Sequence, residues 1–154
     1  MSILTLQPAA PLAADGAALA HVLQRAGVSR NSLIRVTGPA GPTAMLWLGR
    51  NGYRRTVYAR AISGGAQTEP ADAWLVPHAC SKAELAELLE SVEALRDGGV
   101  LILQAAARRT AEDGDGVLGL LHAFDFQIEL SLVDRGRIVY VARRQGLGGF
   151  RQAA

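Results

Sequence analysis

Apolar residues between positions 81 and 95 recur every three or four residues, which is the spacing of a helix with one buried face. The members of this stripe are Leu85, Leu88, Leu89, Val92 and Leu95. Ser81 is placed to cap the start of the helix, and Glu84, three residues later, completes a capping box. Gly98 lies where a left-handed C-terminal cap is expected.

Two apolar runs flank this helix and predict strands. Residues 72–76 (DAWLV) precede it, and residues 100–103 (VLIL) follow it without a polar side chain. A strand, a helix and a second strand within about thirty residues predict a βαβ unit, in which the two strands are parallel.

The residues before this unit predict two more helices and two more strands. They are a helix over 16–26, a strand over 33–37, a helix over 43–51 and a strand over 54–60. Asp15 caps the first helix and Gly27 ends it. The turn over 38–42 (GPAGP) opens the second helix, and such a turn can present backbone N–H groups to a phosphate or carboxylate. The alternative is a tight turn that simply needs glycine.

The residues after the βαβ unit predict a loop, a helix and an antiparallel hairpin. The loop covers 108–115, the helix 117–124 and the two strands 127–133 and 137–143. Apolar and polar residues alternate in the first of these strands, and Asp134-Arg135-Gly136 is the turn. We expect a loosely ordered leader over 1–14, one α/β domain over 15–144 and a glycine-rich tail over 145–154.

Composition narrows the class of protein. The chain of 154 residues fits one domain, and no apolar run approaches the about 20 residues that a membrane span requires. No basic start followed by an apolar segment marks a signal peptide, so we expect a cytoplasmic protein that does not enter a membrane. The net charge of +2 gives no strong field for nucleic acid, and the single Cys80 excludes an internal disulfide.

The order of these elements resembles that of the class I S-adenosylmethionine-dependent methyltransferases. Residues 95–103 (LRDGGVLIL) are similar to the segment that enters the family's fifth strand, and residues 72–76 are similar to its fourth strand with a leading aspartate. The C-terminal hairpin is similar to the family's antiparallel sixth and seventh strands. The resemblance implies a single three-layer Rossmann-like α/β domain with a mostly parallel sheet. The linker over 61–72 replaces the family's third strand, which we expect to be missing.

The resemblance also implies that the chain binds a small molecule, S-adenosylmethionine, around the glycine turn. The residues implied as cofactor-binding are Thr37, Gly38, Ala40, Gly41, Arg60 and Asp72. The sequence departs from the family in two ways. The turn has no carboxylate, and the strand over 54–60 ends in Arg60, whose guanidinium cannot accept hydrogen bonds from ribose hydroxyls.

His78 is the candidate catalytic residue. It follows the predicted strand over 72–76, at the end of the strand where open α/β sheets bind ligands, and an imidazole pKa of about 6.5 suits proton transfer. The alternative is a loop histidine beside the start of the helix. Cys80 is either a thiol with a lowered pKa near a helix N-terminus or a buried thiol without a role in chemistry.

Four arginines surround the second strand and either bind a phosphate or are solvated charges at a sheet edge. They are Arg50, Arg54, Arg55 and Arg60. Trp47 and Trp74 have apolar neighbours and are expected in the core. His21 and His122 have no acidic residue at ligand spacing, so no metal site is expected.

Two functions from different classes stay open. One is a shortened methyltransferase-like domain that transfers a methyl group from S-adenosylmethionine to an unknown acceptor. The other is a non-catalytic, degenerate relative that acts as a binding or homodimeric assembly module, because loss of a third strand leaves the second strand as an edge that can pair with another copy. A nucleic-acid binder is disfavoured by the small net charge.

Overall fold

The structure, a computed structural model, describes residues 11–59, 69–91, 94–105, 111–134 and 137–146. After a 3-10 turn at Leu12–Ala14, its helices are α1 (Gly16–Arg25), α2 (Gly41–Arg50), α3 (Lys82–Leu89) and α4 (Ala111–Ala123). Its strands are β1 (Ile34–Thr37), β2 (Thr56–Ala59), β3 (Ala71–Cys80), β4 (Leu95–Ala105), β5 (Phe126–Asp134) and β6 (Arg137–Arg144).

The six strands form one sheet in the order β2-β1-β3-β4-β6-β5. The first four strands of this order are parallel, and β6 runs antiparallel to both β4 and β5. The predicted mostly parallel sheet with a C-terminal antiparallel hairpin is confirmed. In the described part of the chain β2 is an edge strand, which is the position that the loss of a third strand gives it.

Helices cover both faces of the sheet and produce three layers. On one face α1 and α2 pack through Leu19, Leu23 and Leu48, which are fully buried. On the other face α3 and α4 pack through Leu85 and Leu121. The central strands serve both cores because successive side chains of a strand point to opposite faces. The predicted three-layer Rossmann-like domain is confirmed.

Leu12 and Ala13, which precede the predicted start of the domain at residue 15, are buried. The backbone N–H of Leu12 donates to Oε1 of Gln104 at 2.7 Å. Asp15 caps α1 as predicted, since its side chain accepts a hydrogen bond from the N–H of Ala18. Asp15 also forms an ion pair of 2.6 Å with Arg137 of β6, which is almost fully buried. Residues 1–10 of the expected leader lie outside the described residues.

The helix α3 is shorter than the leucine stripe predicts. It begins after Ser81, whose Oγ accepts a hydrogen bond from the N–H of Glu84 at 3.2 Å, and the predicted cap is confirmed. It ends at Leu89, and Leu95 already pairs with the first residue of β3. The helical prediction for Leu95 is therefore wrong, while Val92 lies outside the described residues.

Gly98 has the predicted left-handed backbone, with φ of 78°, but it lies within β4 rather than at the end of a helix. The pairing of β3 with β4 shifts register at this point, between Ala71 and Ala73. Nη1 of Arg143 donates to the carbonyl of Gly98 at 2.7 Å, and Arg144 donates to the carbonyl at the start of β4. The contacts from β6 hold this irregular segment in the sheet, and no local pattern predicts them.

Two other boundaries correct the prediction. The predicted loop over 108–115 is helical from Ala111 onward, because the buried Val117 and Leu121 anchor a helix whose first turns contain glycines that disfavour it locally. β3 continues through the predicted loop at Pro77 as far as Cys80. No helix in the described ranges combines the length and apolar character needed to cross a bilayer.

Candidate functional site

The glycine turn connects the end of β1 with the start of α2. Gly38 has φ of 106°, a conformation that side-chain-bearing residues rarely adopt. The carbonyl of Gly38 accepts a hydrogen bond from the N–H of Gly41 at 3.0 Å, and α2 starts at Gly41 with Pro42 in its first turn. Ala40 is the cap residue and makes no side-chain hydrogen bond. The turn therefore lies at the carboxyl ends of the parallel strands.

His78 lies directly on this turn. It is near the end of β3, beside β1 in the sheet, at a shift in the pairing of β3 with β4 between Val76 and Ala79. A Cβ atom added to Gly38 would lie 2.3 Å from Cε1 and 2.4 Å from Nδ1 of His78. No real Cβ tolerates such distances, so Gly38 is required by the imidazole as well as by its own backbone. The structure thus brings together Gly38 and His78, two of the residues singled out in the sequence.

Tyr58 covers the turn from the other side. Its hydroxyl donates to the carbonyl of Gly38 at 3.2 Å. A Cβ atom added to Gly41 would lie 2.3 Å from Cε2 of Tyr58. Sequence reasoning did not select Tyr58. Its one signal was its place near the carboxyl end of the predicted second strand, next to the strand that carries the turn.

The imidazole of His78 is held by the first turn of α3. Nε2 of His78 lies 2.8 Å from Oε2 of Glu84, and Oγ of Ser81 donates to Oε1 of the same carboxylate at 3.3 Å. The side chain of His78 is 13% exposed, whereas that of Glu84 is 51% exposed. Nδ1 of His78 is buried and has no hydrogen-bond partner among the described residues. With a proton on Nε2, Nδ1 carries the lone pair and faces the turn.

Thr37 lies beneath the turn, and its side chain is buried in the core. It is 6% exposed, and its Oγ1 accepts a hydrogen bond of 2.7 Å from Nε1 of Trp74. Trp74 is fully buried, and Trp47 is partly buried against the core of the α1 and α2 face, so both tryptophans lie where the sequence predicted.

Asp72 is separated from the other predicted cofactor residues. It is the second residue of β3, and His78 lies six positions further along the strand, a distance of about 20 Å. Its Oδ2 accepts a hydrogen bond of 2.8 Å from the N–H of Leu33, and its Oδ1 lies 2.6 Å from Nε of Arg96. Both oxygens bind groups near the amino-terminal ends of the strands, so Asp72 lies away from the Gly38 turn.

The predicted arginine cluster does not form beside the glycine turn. Arg54 and Arg55 precede β2, so they lie at the amino-terminal ends of the parallel strands, away from the glycine turn. Arg55 pairs with Glu69 at 2.9 Å. Arg50 is exposed in the last turn of α2. Arg60 lies outside the described residues.

Cys80 is fully buried, which decides between the two interpretations of this thiol. Burial, together with the nearby carboxylate of Glu84, raises the pKa of Cys80 to about 12. The thiol is therefore protonated at neutral pH and is not a nucleophile. Within the described ranges no group of three or more His, Cys, Asp or Glu side chains is arranged to hold a metal ion.

Solved structures of other proteins share the fold of this chain. No model of a protein family matches the chain, and no curated protein matches it. A ribosomal protein L11 methylase from Lactobacillus delbrueckii subsp. bulgaricus superposes with a TM-score of 0.61 at 14% identity, over 85% of this chain and 79% of that one. A methyltransferase from Pyrococcus furiosus gives 0.54 at 11% identity, over 83% and 82%.

A third solved structure contains a cofactor product. It is phosphoethanolamine N-methyltransferase 2 from Haemonchus contortus with phosphomonomethylethanolamine and S-adenosylhomocysteine, at a TM-score of 0.62 and 14% identity, over 93% of this chain and 40% of that one. This chain has the fold of the class I S-adenosylmethionine-dependent methyltransferases. In this methyltransferase-like fold Gly38, Tyr58 and His78 lie at the carboxyl edge of the sheet, where open α/β folds bind ligands.

Proposed function

We propose that this methyltransferase-like domain binds S-adenosylmethionine at the carboxyl edge of its sheet. The observation that carries the proposal is the contact between the Gly38 turn and His78, which lie on neighbouring parallel strands. In a doubly wound sheet this edge is the usual ligand crevice, and close approach of backbone to a ligand is the common reason for a glycine turn there.

The residues at the turn fit a ligand that packs against backbone. Gly38 and Gly41 have no Cβ, so their backbone can be approached closely once the rings beside them move. The proposed contacts are Gly38, Ala40 and Gly41, with Arg60, which follows β2 directly in sequence. Thr37 is left out because it is buried and its hydroxyl binds Trp74. Asp72 is left out because its carboxylate binds Leu33 and Arg96 at the amino-terminal ends of the strands.

The proposed activity is methyl transfer. S-adenosylmethionine, when bound, supplies an electrophilic methyl group. The contribution of the chain is a proton acceptor, Nδ1 of His78, which has no hydrogen-bond partner among the described residues and carries a lone pair when Nε2 is protonated. The acceptor itself is unknown.

Calorimetric titration with S-adenosylhomocysteine and thermal unfolding in its presence test the proposal. Ligand at 100 times its dissociation constant adds about 2.7 kcal/mol to the free energy of unfolding. Gly41→Leu, which places a side chain above the turn, is expected to abolish this shift. Gly49→Leu is the matched control, since position 49 of the same helix has open space around it. Absence of binding by the wild-type protein would refute the proposal.

A second candidate function, homodimeric assembly without catalysis, is favoured by one observation. The edge strand β2 presents Val57 and Tyr58, which are 43% and 38% exposed. If two copies pair along β2, Val57→Lys converts a dimer to a monomer in size-exclusion chromatography with light scattering. Val133→Lys on the opposite edge strand, where the side chain is 75% exposed, leaves the dimer intact. A monomeric wild-type protein rules this function out.

We also propose a cytoplasmic location. Cys80 is a buried free thiol, and the net charge of +2 does not favour nucleic acid as a partner. Fractionation of cells that express the tagged full-length protein tests the location, and recovery with the membrane fraction after a salt wash would contradict it.

A further inference from the structure

One side of the glycine turn, the side on which Cβ atoms of Gly38 and Gly41 would lie, is already covered. The positions at which Cβ atoms of Gly38 and Gly41 would lie are within 2.3 Å of the rings of His78 and Tyr58. These rings come from β3 and β2, the two neighbours of β1. Because packed atoms exclude other atoms, a ligand cannot reach Gly38 and Gly41 from this side of the turn while both rings occupy these positions.

Each ring is held by one polar contact. His78 is tied through Nε2 to Glu84 of α3 at 2.8 Å, and Tyr58 is tied through its hydroxyl to the carbonyl of Gly38 at 3.2 Å. The Glu84 carboxylate is half exposed, so its contact is weak enough to exchange with water. Nδ1 of His78 is buried without a partner, so the covering position leaves one polar atom unsatisfied.

We propose that the His78 ring is a displaceable cover on the Gly38 turn, held in place by Glu84, so that the covering contact and ligand binding exclude each other. This inference rests on the proposed ligand site. When the ring leaves the turn, the backbone becomes accessible and Nδ1 reaches solvent. The apparent dissociation constant is then the intrinsic one divided by the fraction of uncovered protein. Glu84 is accordingly a positioning residue whose removal strengthens binding.

The ligand-free part of the test measures access to the imidazole. The full-length protein is treated with diethyl pyrocarbonate, and modification of each histidine is followed by mass spectrometry. His21 and His122, both exposed, are the references in the same chain. Glu84→Ala is expected to raise the rate at His78 by roughly two- to fivefold, the range set by one contact with a half-exposed carboxylate. Glu87→Ala, an exposed carboxylate of the same helix, is the matched control and leaves the rate unchanged.

The second part measures affinity for S-adenosylhomocysteine by calorimetry. Glu84→Ala is expected to lower the dissociation constant by the same factor by which it raises the modification rate, and His78→Ala to lower it further. An unchanged modification rate at His78 in Glu84→Ala, or an affinity of this variant that stays equal or weakens, refutes the proposal that His78 is a displaceable cover. Binding by the wild-type protein would still support the proposed ligand site in that case. No binding by the wild-type protein or by either variant overturns the proposed function and the cover with it.

Discussion

Gly38 meets two separate requirements at one position. Its φ of 106° lies in a region that disfavours a side chain, and the imidazole of His78 occupies the place of its Cβ. Neither requirement involves a charge. At this scale the site is built from close approaches of rings to backbone, and the groups that tie the rings, Glu84 and the carbonyl of Gly38, come from other elements.

Replacement of Gly38 tests these two requirements separately. Gly38→Ala is expected to lower the free energy of unfolding by about 2 to 4 kcal/mol, from backbone strain and from displacement of His78. Adding His78→Ala to it should restore the part caused by the clash and leave the strain. Chemical denaturation measures both variants. Gly49→Ala, with open space around the new methyl, should be neutral or slightly stabilising; an equal loss in this control would contradict the interpretation.

Cys80 gives the stability of the protein a dependence on alkaline pH. Its pKa is raised to about 12 in the folded state, mainly by burial, whereas a thiol in an unfolded chain has a pKa of about 8.5. Above that pH the unfolded state binds fewer protons than the folded state, so the free energy of unfolding falls as pH rises, by up to about 1.4 kcal/mol per pH unit. Urea denaturation between pH 7 and pH 10 should show a shallower fall in Cys80→Ala. Identical slopes would refute a buried protonated thiol.

At the scale of elements, the starts of two helices also form contacts with other parts of the fold. Ser81 starts α3 and its partner Glu84 also holds His78, so the helix cap and the site share one carboxylate. Asp15 similarly caps α1 and binds Arg137 of β6. Each carboxylate takes part in a helix cap and also binds a residue outside its helix, and Arg137, the partner of Asp15, is distant in sequence.

Substitutions at Asp15 separate its two tasks. Asp15→Asn keeps a side chain that caps a helix but removes the negative charge beside Arg137, which is 3% exposed. We expect a loss of about 1 to 3 kcal/mol in the free energy of unfolding, because the attraction between the buried Arg137 cation and the Asp15 carboxylate is removed. Asp15→Ala should cost about 1 kcal/mol more through loss of the cap. Thermal and urea unfolding measure the difference between the variants, and equal stability of the two would exclude a capping contribution.

At the scale of the whole molecule, β3 and β4 connect the two apolar cores. Leu75 of β3 faces the core of α1 and α2, whereas Trp74 next to it faces the core of α3 and α4. β3 also carries His78 near its carboxyl end, and β3 and β4 together carry the Asp72–Arg96 pair near their amino ends. The two layers are therefore expected to unfold together.

Cavities on opposite faces test this coupling. Leu48→Ala on α2 and Leu121→Ala on α4 remove fully buried side chains from different cores. Each is expected to cost about 2 to 5 kcal/mol. Circular dichroism and tryptophan fluorescence should report one coincident transition in both variants, because each core shares the central strands. Separate transitions for the two probes in either variant would show that the layers unfold independently.

The sequence by itself determined the order of the elements, the βαβ unit and the C-terminal hairpin. These follow from hydrophobic period, from capping residues such as Asp15 and Ser81, and from glycine, all of which act over a few residues. The three-layer Rossmann-like fold was implied by the resemblance of this order to the methyltransferase family. The sequence also selected Gly38 and His78 individually. Tertiary structure alone decided that these two residues touch and that Tyr58 contacts the same turn. It also decided that Asp72 lies at the amino-terminal ends of the strands, away from them. Strand order and register decide such contacts, and they are properties of the assembled sheet. The extent of β4 was decided in the same way, since arginines of β6 hold its irregular start.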